Sequence, residues 1–474
     1  LERNEGLRVA ITEEIVFWST TRQAEAIRGG EISSRDLLEL LIARIETINP
    51  DLNAVITLDL EGARSLADEA DAKLQNGDVV GPLHGIPITI KDALETEGLR
   101  STGGATELHN NIPSKDAGVV ASVKDAGAIV FGKTNLPRWS GDIQAFNEMF
   151  GTTVNPWDGE RVPGGSSGGA AAAVSAGLSS FEIGTDIGGS IRFPASFCGV
   201  FGHKPSWGVV PSTGYLDHEG GGIIEADVNV HGPIARSADD LEMLLKILIR
   251  KESPLVTALA PPPDDLSNLK VASWLDDPFC PVDTKVLTVM DAAVTSLEKA
   301  GISVDRNARP DVDPEDAFAL GAWLVSAAMV QSLPPETLEG LDVEGASSKT
   351  THREWLDRHA EREAIRDKWA EFFEEFDAVI MPISFVPPFR HNQEGDFGTR
   401  TLVCNGEERP YADLVRWTIL TGMAYLPATT PPIGFDDEGL PISFQVVGPY
   451  GGDYTTIRLA GLIAELSGGY QPPP

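Results

Sequence analysis

Cysteine is scarce in this chain. Its 474 residues include three cysteines, Cys198, Cys280 and Cys404, an odd number with no C-x-x-C pair among them. This count and spacing argue against a structural zinc site and against a framework of disulfide bonds. We therefore expect a protein of a reducing compartment, and we take the cytoplasm as its location.

Long apolar runs are also missing. No stretch reaches the roughly 18 apolar residues that a membrane-spanning helix needs, and charged residues interrupt the longest candidate, LLKILIRKE at 244–252. The first ten residues, LERNEGLRVA, lack the basic and then apolar pattern of a secretory signal. We expect no membrane partner.

Positive charge is in the minority. Lysine and arginine total 37 against 71 aspartates and glutamates, which gives a formal net charge of −34. Such a surface repels the phosphates of nucleic acids and of anionic membranes, and it argues against binding to either. The same charge also keeps a protein soluble, so it identifies no partner by itself. We expect a small-molecule partner and no nucleic acid.

Short β-branched segments alternate with helical ones along the chain, and no repeat with a period of about 20 to 50 residues is visible. The first long helix starts at Ser33 or Ser34, and we expect Pro50 to end it. The alternation predicts an α/β protein with a central mixed, largely parallel, twisted sheet that helices flank on both faces. We expect one domain, 1–474. The strand-like segments include GIPITIKDAL (85–94), GAIVFGKTN (127–135) and SSFEIGTDIGGS (179–190).

The most glycine-rich stretch is PGGSSGGAAAAVSAG at 163–177. It lacks the lysine of a P-loop, and the polar segment NPWDGERVP before it is not strand-like, so a nucleotide site is disfavoured. Gly164–Gly168 formally match the G-x-S-x-G turn of Ser-His-Asp hydrolases, although a preceding strand is missing. An esterase that uses this GGSSG turn therefore stays open as an alternative.

A second glycine turn, GTDIGGSIRFPASFCG at 184–199, does follow a strand-like segment. Gly188 and Gly189 allow successive backbone N–H groups to converge, as an oxyanion hole requires. Ser190 ends the turn as a candidate nucleophile, and Lys91, at the end of an apolar strand, is a candidate base. Burial lowers the pKa of a lysine. A fall of about 3 units, worth roughly 4 kcal/mol, makes an amine mostly neutral at about pH 7.5.

These motifs resemble those of the amidase signature family, and the resemblance extends over most of the chain. It implies the amidase signature fold, with a core signature region at about 81–245. The similar segments are GPLHGIPITIKD (81–92), GKTNLP (132–137), FGTTVNPWD (150–158), PGGSSGGAAAAVSAG (163–177), GTDIGGSIRFPASFCGVFGHKPSWG (184–208) and GPIARSADDLEMLL (232–245).

The resemblance implies a Ser-cisSer-Lys triad and no metal or organic cofactor. Ser190 matches the nucleophile, Ser166 the serine whose preceding peptide bond is cis, and Lys91 the base. Asp186 and Arg192 flank the turn and are expected to support it. The expected oxyanion hole consists of the backbone amides of Ile187, Gly188, Gly189 and Ser190.

The substrate pocket is expected in the variable segments, at about 138–148 and 310–405. Ser140, Gly141 and Asp142 match positions near the family's cleft. The chain is similar to bacterial small-molecule amidases, aryl acylamidases and urethanases, which implies hydrolysis of small amides, anilides or carbamates by a monomer or homodimer.

A second kind of family member, the glutaminase subunit of glutamyl-tRNA(Gln) amidotransferase, is the alternative. That subunit carries SSLDQIGP where this chain has the longer segment PSTGYLDHEGGGIIEADVNVHGPIARS, at 211–237. It also has a glutamine-holding aspartate at a position that aligns with Val415, with Asp413 two residues away. Both departures count against glutamine as the substrate.

Overall fold

The computed structural model describes residues 12–79, 81–250, 259–330 and 350–474. Its strands are β1 Val55–Leu58, β2 Pro87–Lys91, β3 Ile129–Thr134, β4 Phe146–Asn147, β5 Gly151–Thr152, β6 Glu182–Asp186, β7 Phe201–Lys204, β8 Val230–Ala235, β9 Lys270–Ser273, β10 Ser303–Asp305, β11 Ala378–Met381, β12 Thr401–Cys404, β13 Glu407–Pro410, β14 Ala428–Thr430, β15 Pro432–Phe435, β16 Pro441–Ser443 and β17 Gln445–Val447.

The α-helices within these described ranges connect and cover the strands. They are α1 Thr20–Gly29, α2 Ser34–Leu52, α3 Leu60–Asn76, α4 Gly118–Asp125, α5 Gly168–Ser175, α6 Arg192–Cys198, α7 Ala238–Leu248, α8 Thr284–Lys299, α9 Pro314–Ala328, α10 His352–Phe372, α11 Arg416–Gly422 and α12 Asp453–Ser467. None of them is long and apolar enough to cross a membrane.

The largest sheet has eight strands in the order β10-β9-β11-β17-β14-β7-β8-β6. The expected mixed sheet is confirmed, but parallel pairs do not dominate it. Two of its seven neighbouring pairs, β10–β9 and β9–β11, are parallel, and the other five are antiparallel. A parallel pair needs a long crossover, usually helical, whereas no helix separates β7 from β8 or β14 from β17 along the chain.

A second sheet brings the candidate base to the edge of the first. Its strands run in the order β1-β3-β2, and β2 lies beside the edge strand β6 without a hydrogen-bonded ladder between them. In the parallel pair of β2 and β3, Lys91 lies opposite Thr134. Lys91 therefore ends its strand next to the end of β6, where the second glycine turn begins.

Helices cover both faces of the large sheet, as the sequence predicts. Successive residues of β8 point to opposite faces. Ile234 belongs to the apolar cluster that contains the alanines of α5, and Ala235 belongs to the cluster that contains the leucines of α7.

The expected end of α2 at Pro50 is wrong by two residues. The helix begins with a capping box between Ser33 and Asp36 and continues through Pro50 to Leu52. The proline falls in the last turn, so the N–H that it lacks removes only one of the final hydrogen bonds. Asn53, with φ of 52° in the left-handed region, ends the helix.

A buried carboxylate ties α1 to α7, and its removal should lower stability. Asp240 accepts hydrogen bonds from Thr20 N at 2.9 Å, Thr21 N at 2.8 Å and Thr21 Oγ1 at 2.9 Å. In Asp240→Ala these donors lose their acceptor, and we expect the free energy of unfolding to fall by about 3 kcal/mol. The thermal unfolding midpoint measures this, with Asp239→Ala at the neighbouring position as the control. Equal midpoints for the two variants would contradict the prediction.

Candidate active site

The GGSSGG segment forms a tight loop before α5, and its glycines are required by close contacts. The Gly165–Ser166 peptide bond is cis, as the resemblance implies. A β-carbon on Gly165 would lie 2.5 Å from the carbonyl carbon of Ile143, and one on Gly169 would lie 2.5 Å from Asn135 N. Only glycine lets the backbone approach this closely, so these residues set where Ser166 sits.

Lys91 is fully buried and is surrounded by hydroxyl groups. Its Nζ lies 2.7 Å from Ser166 Oγ, 3.0 Å from Ser167 Oγ and 2.7 Å from Thr185 Oγ1. No carboxylate of the described residues lies within ion-pair distance of this amine. Burial lowers the pKa of Lys91 to about 7, while the negative charges of Asp186 and Glu182 act in the opposite direction.

Hydrogen-bond counting gives a direction to two of the three hydroxyls, those of Ser166 and Ser167. A neutral amine has two N–H groups and one lone pair, so one of the hydroxyls must donate to it. Ser167 Oγ can place its own proton on the Thr185 carbonyl, 3.4 Å away, and Ser166 Oγ has no contact besides Lys91 among the described residues. Ser166 is therefore the natural donor to the lone pair, which makes it the hydroxyl from which Lys91 can take a proton.

Ser190 lies at the end of the turn that follows β6. The residue is 6% exposed, and its hydroxyl has no hydrogen-bond partner among the described residues. Its backbone carbonyl accepts a hydrogen bond from Ser167 N at 3.2 Å. This bond joins the Ser190 turn directly to the serine loop and to the hydroxyls around Lys91.

Asp186 and Arg192 form a buried ion pair behind this turn. Arg192 Nη2 lies 2.8 Å from Asp186 Oδ1, and Nε lies 3.0 Å from Oδ2. Burial by itself raises the pKa of Asp186, but the charge and hydrogen bonds of Arg192 hold it below its usual value. Arg192 Nη1 also donates to Thr418 O and to Gln445 Oε1, each at 2.9 Å. The pair thus anchors the turn to α11 and β17.

One expected oxyanion donor is already engaged. Gly189 N donates to Asp186 Oδ1 at 2.8 Å, because the carboxylate lies beneath the turn that Gly189 forms with φ of 121°. Gly189 therefore anchors the turn instead of facing a substrate. Ile187, Gly188 and Ser190 keep amides that make no hydrogen bond to described residues, and they remain the candidate donors.

Of the expected pocket residues Ser140, Gly141 and Asp142, the structure places the Asp142 backbone against the GGSSGG loop, but it engages the Asp142 side chain elsewhere. Asp142 Oδ2 pairs with Arg400 at 2.6 Å, and Oδ1 accepts from the Tyr411 hydroxyl at 2.7 Å. All of this is buried, so the carboxylate is a structural group. Ser140 adopts φ of 58°, and the Tyr215 hydroxyl lies near its side chain and near that of Thr185.

Ser167 and Thr185 are contacts of Lys91 that the sequence interpretation missed. Ser167 stands in the quoted GGSSGG motif, and Thr185 directly precedes Asp186 at the end of β6. Two hydroxyl residues next to the assigned positions were the available signal. Their contact with one amine depends on three separate chain segments meeting, which no spacing reveals.

The Ser-His-Asp alternative finds no histidine in the right place among the described residues. His231 lies opposite Thr185 in the pairing of β6 with β8, and both of its ring nitrogens are buried without a hydrogen-bond partner in the described ranges. Burial, together with the charge of Lys91, lowers its pKa to about 3. The side chain that contacts Ser166 is a lysine.

Comparison with known proteins identifies the family of the chain. The model of the Amidase family matches residues 36–457, so the chain belongs to the amidase signature family. A glutamyl-tRNA(Gln) amidotransferase subunit from Carboxydothermus hydrogenoformans is 30% identical over 489 residues, covering 94% of this chain and 96% of the relative. The corresponding protein of Geobacillus thermodenitrificans is 32% identical, with 91% and 93% covered. A solved amidase structure is 27% identical with a TM-score of 0.79, covering 94% of this chain and 99% of that one.

The lowered pKa of Lys91 predicts how Ser190 reacts with a serine-directed reagent. Above about pH 7 the amine is mostly neutral and can accept a proton, and below that pH it is protonated. We expect the rate constant for inactivation by phenylmethanesulfonyl fluoride to fall about tenfold per pH unit below pH 7. Peptide mapping should find the label on Ser190. A rate that does not change between pH 5 and about pH 8 would contradict a lysine base.

Proposed function

We propose that the chain hydrolyses carbon–nitrogen bonds with Ser190 as nucleophile, Ser166 as proton relay and Lys91 as general base. The observation that carries the proposal is the contact between the buried amine of Lys91 and Ser166, with no carboxylate of the described residues in contact to keep the amine charged. A neutral lysine takes protons, whereas an ion-paired one does not.

The chemistry proceeds through an acyl-enzyme. Lys91 takes a proton from Ser166 as Ser166 takes one from Ser190, and Ser190 Oγ attacks the substrate carbonyl. The lysine proton then returns through Ser166 to the leaving nitrogen, and the C–N bond breaks. Water, activated by the same relay, releases the acid and regenerates Ser190.

The oxyanion of each tetrahedral intermediate binds to the free amides of the turn. Ile187, Gly188 and Ser190 supply these donors, and the Asp186–Arg192 pair holds them in a fixed position. Thr418 Oγ1 also donates to the Gly188 carbonyl at 2.6 Å, which holds the peptide between Gly188 and Gly189 in the middle of the turn. Fixed donors cost no reorganisation when charge develops, so they favour the transition state over the substrate.

Removal of the nucleophile or the base tests the reaction. We expect Ser190→Ala to abolish hydrolysis of p-nitroanilides, and Lys91→Ala to lower kcat/KM about 10³-fold, within the range for loss of general-base catalysis. Ser196→Ala, a buried serine of α6, is the control and should keep near-normal activity. A fully active Lys91→Ala enzyme would exclude the proposed base.

For the substrate, the site favours a small apolar amide or carbamate, including anilides. Val415 lies beside the oxyanion turn: a β-carbon built on Gly188 would be 3.8 Å from Val415 Cγ1. The nearby carboxylate of Asp413 is paired with Arg409 at 2.9 Å. Val415 therefore gives the turn an apolar neighbour, and neither it nor the paired Asp413 offers a free carboxylate to the amino group of an amino-acid substrate.

The second candidate is a glutaminase of the glutamyl-tRNA(Gln) amidotransferase type, which would work in a complex with other subunits. The comparisons favour this candidate, since the amidotransferase relatives reported above align over more than nine tenths of this chain. Val415 and the paired Asp413 oppose it. The two candidates share the reaction at Ser190 and differ in the substrate and in the need for a partner.

Substitution of Val415 separates the two candidates. We expect the purified wild-type chain to hydrolyse acyl p-nitroanilides without a partner and to leave glutamine unchanged. Val415→Asp should lower kcat/KM for an apolar anilide about thirtyfold, because a charge is buried against the acyl group.

Val415→Thr keeps the shape without the charge and is the control, with a loss of about threefold expected. Glutamine hydrolysis that exceeds anilide hydrolysis in the wild type would favour the amidotransferase candidate and contradict the apolar pocket.

A further inference from the structure

Glu182 is a buried acid that the proposed reaction does not use. It is the first residue of β6, three residues before Thr185, and its side chain is fully buried. Oε1 accepts hydrogen bonds from the Thr89 hydroxyl at 2.6 Å and from the Thr134 hydroxyl at 3.0 Å. Burial of a carboxylate away from water costs free energy, which hydrogen bonds or an opposite charge must offset.

Both threonines belong to the strands that carry the base. Thr89 is two residues before Lys91 on β2, so the two side chains point to the same face. Thr134 is the residue of β3 that lies opposite Lys91 in the parallel pair. The two threonines thus hold Glu182 on the same strand pair that carries Lys91, and Glu182 makes no direct contact with the amine.

Glu182 differs from the other acid that acts on Lys91. Asp186 is neutralised by a two-point contact with Arg192, whereas Glu182 has no arginine or lysine within ion-pair distance among the described residues. It accepts only from hydroxyls and from the N–H of Ile183, at 3.2 Å. Its negative charge is therefore available to a cation farther away.

Several other charged or titratable groups surround the pair. Lys133 of β3 also feels the charge of Glu182, but its Nζ points to Leu94 O and Thr96 Oγ1, at 2.5 and 2.8 Å. Asp92, next to Lys91, lies close to Lys133 and accepts a hydrogen bond from Thr102 N. Asp186 and His231 also lie near Lys91, and Arg192 and Lys204 lie near Asp186. The Tyr215 hydroxyl lies near Thr185, which contacts Lys91.

We propose that Glu182 is a positioning residue that supplies the counter-charge for the general base: its buried carboxylate stabilises the ammonium that forms on Lys91 during catalysis. This inference rests on the proposed function, since it needs Lys91 to gain a proton from Ser190 through Ser166. The proton moves from Ser190 to Ser166 and from Ser166 to Lys91, and the negative charge passes to the carbonyl oxygen of the substrate. Glu182 gains and loses no proton in this step.

The electrostatics of the two groups agree with the geometry. Burial raises the pKa of Glu182 to about 7, against the hydrogen bonds of Thr89 and Thr134 that lower it. Burial lowers the pKa of Lys91 to about 7, and the charge of Glu182 raises it. An anionic Glu182 thus makes the amine a stronger base, and removal of the charge must shift the pKa of Lys91 downward.

The test is the pH dependence of inactivation by phenylmethanesulfonyl fluoride, followed in wild type and Glu182→Gln. The amide of glutamine can still accept from both threonines but carries no charge. We expect the acid limb of the rate constant to move to lower pH by about one unit, with a lower plateau at high pH because the amine is a weaker base. The same shift should occur in kcat/KM for a p-nitroanilide.

Two further variants make the result specific. Asp240→Asn removes a buried, threonine-bound carboxylate that is not next to Lys91, and its acid limb should coincide with that of wild type. If Glu182→Gln does not fold, Thr89→Val takes its place. It removes one hydrogen-bond donor to the carboxylate, and the ionised form of Glu182 becomes less stable. The acid limb should then move in the same direction by a smaller amount.

If the acid limb stays at the wild-type pH in both Glu182→Gln and Thr89→Val, the inference is overturned. Lys133 would then be the cation that the charge of Glu182 stabilises. Failure of the proposed function has a different signature: the wild type would then be unlabelled at Ser190 at every pH. A shift shared by Asp240→Asn would also overturn the inference, because it would come from the general loss of buried charge.

Discussion

The burial of a single amine is the constraint on which the rest of this site depends. Lys91 is fully buried and contacts no carboxylate of the described residues, so its hydrogen-bonding capacity must be met by neutral oxygens. Three hydroxyls meet it, from two chain segments far from Lys91 in sequence. The cis bond, the glycine loop and the end of β6 are arranged so that these hydroxyls reach one point. An ion pair would satisfy the amine equally well but would keep it protonated.

The glycines follow from this arrangement. For Ser166 and Ser167 to reach Lys91, the loop must pass against the backbone of 142–144, and α5 must start against Asn135. Side chains at Gly165 and Gly169 would collide with backbone atoms, which cannot move as the end of a flexible side chain can. The alanines that follow let α5 lie close to the sheet. The glycines and alanines thus allow the hydroxyls of Ser166 and Ser167 to reach Lys91.

Local patterns in the sequence predicted much of this, and the failures have a common cause. Short β-branched segments located β2 and β6, and the glycine turns located Ser166 and Ser190, because strands and turns depend on neighbouring residues. The missed features depend on how distant parts of the chain meet. They are the share of antiparallel pairs, the contact of Thr185 with Lys91, the hydrogen bond from Gly189 N to Asp186 and the pairing of Asp142 with Arg400. A single sequence holds no local signal for such contacts, although family resemblance supplied the triad.

Family membership explains the residues around Lys91, but it does not explain every residue near the turn that follows β6. The lysine, the serines and the glycine turns come from β2, the serine loop and β6, which the family model covers throughout. Val415, which directly precedes α11, lies beside the turn that follows β6 and supplies neither the lysine nor the serines. Under the proposed function, a change at position 415 changes the group that fits next to the carbonyl and leaves Lys91, Ser166 and Ser190 in place. Relatives at about 30% identity align over most of this chain. Under the proposed function, the apolar side chain of Val415 beside the turn is what selects an apolar amide over an amino-acid amide.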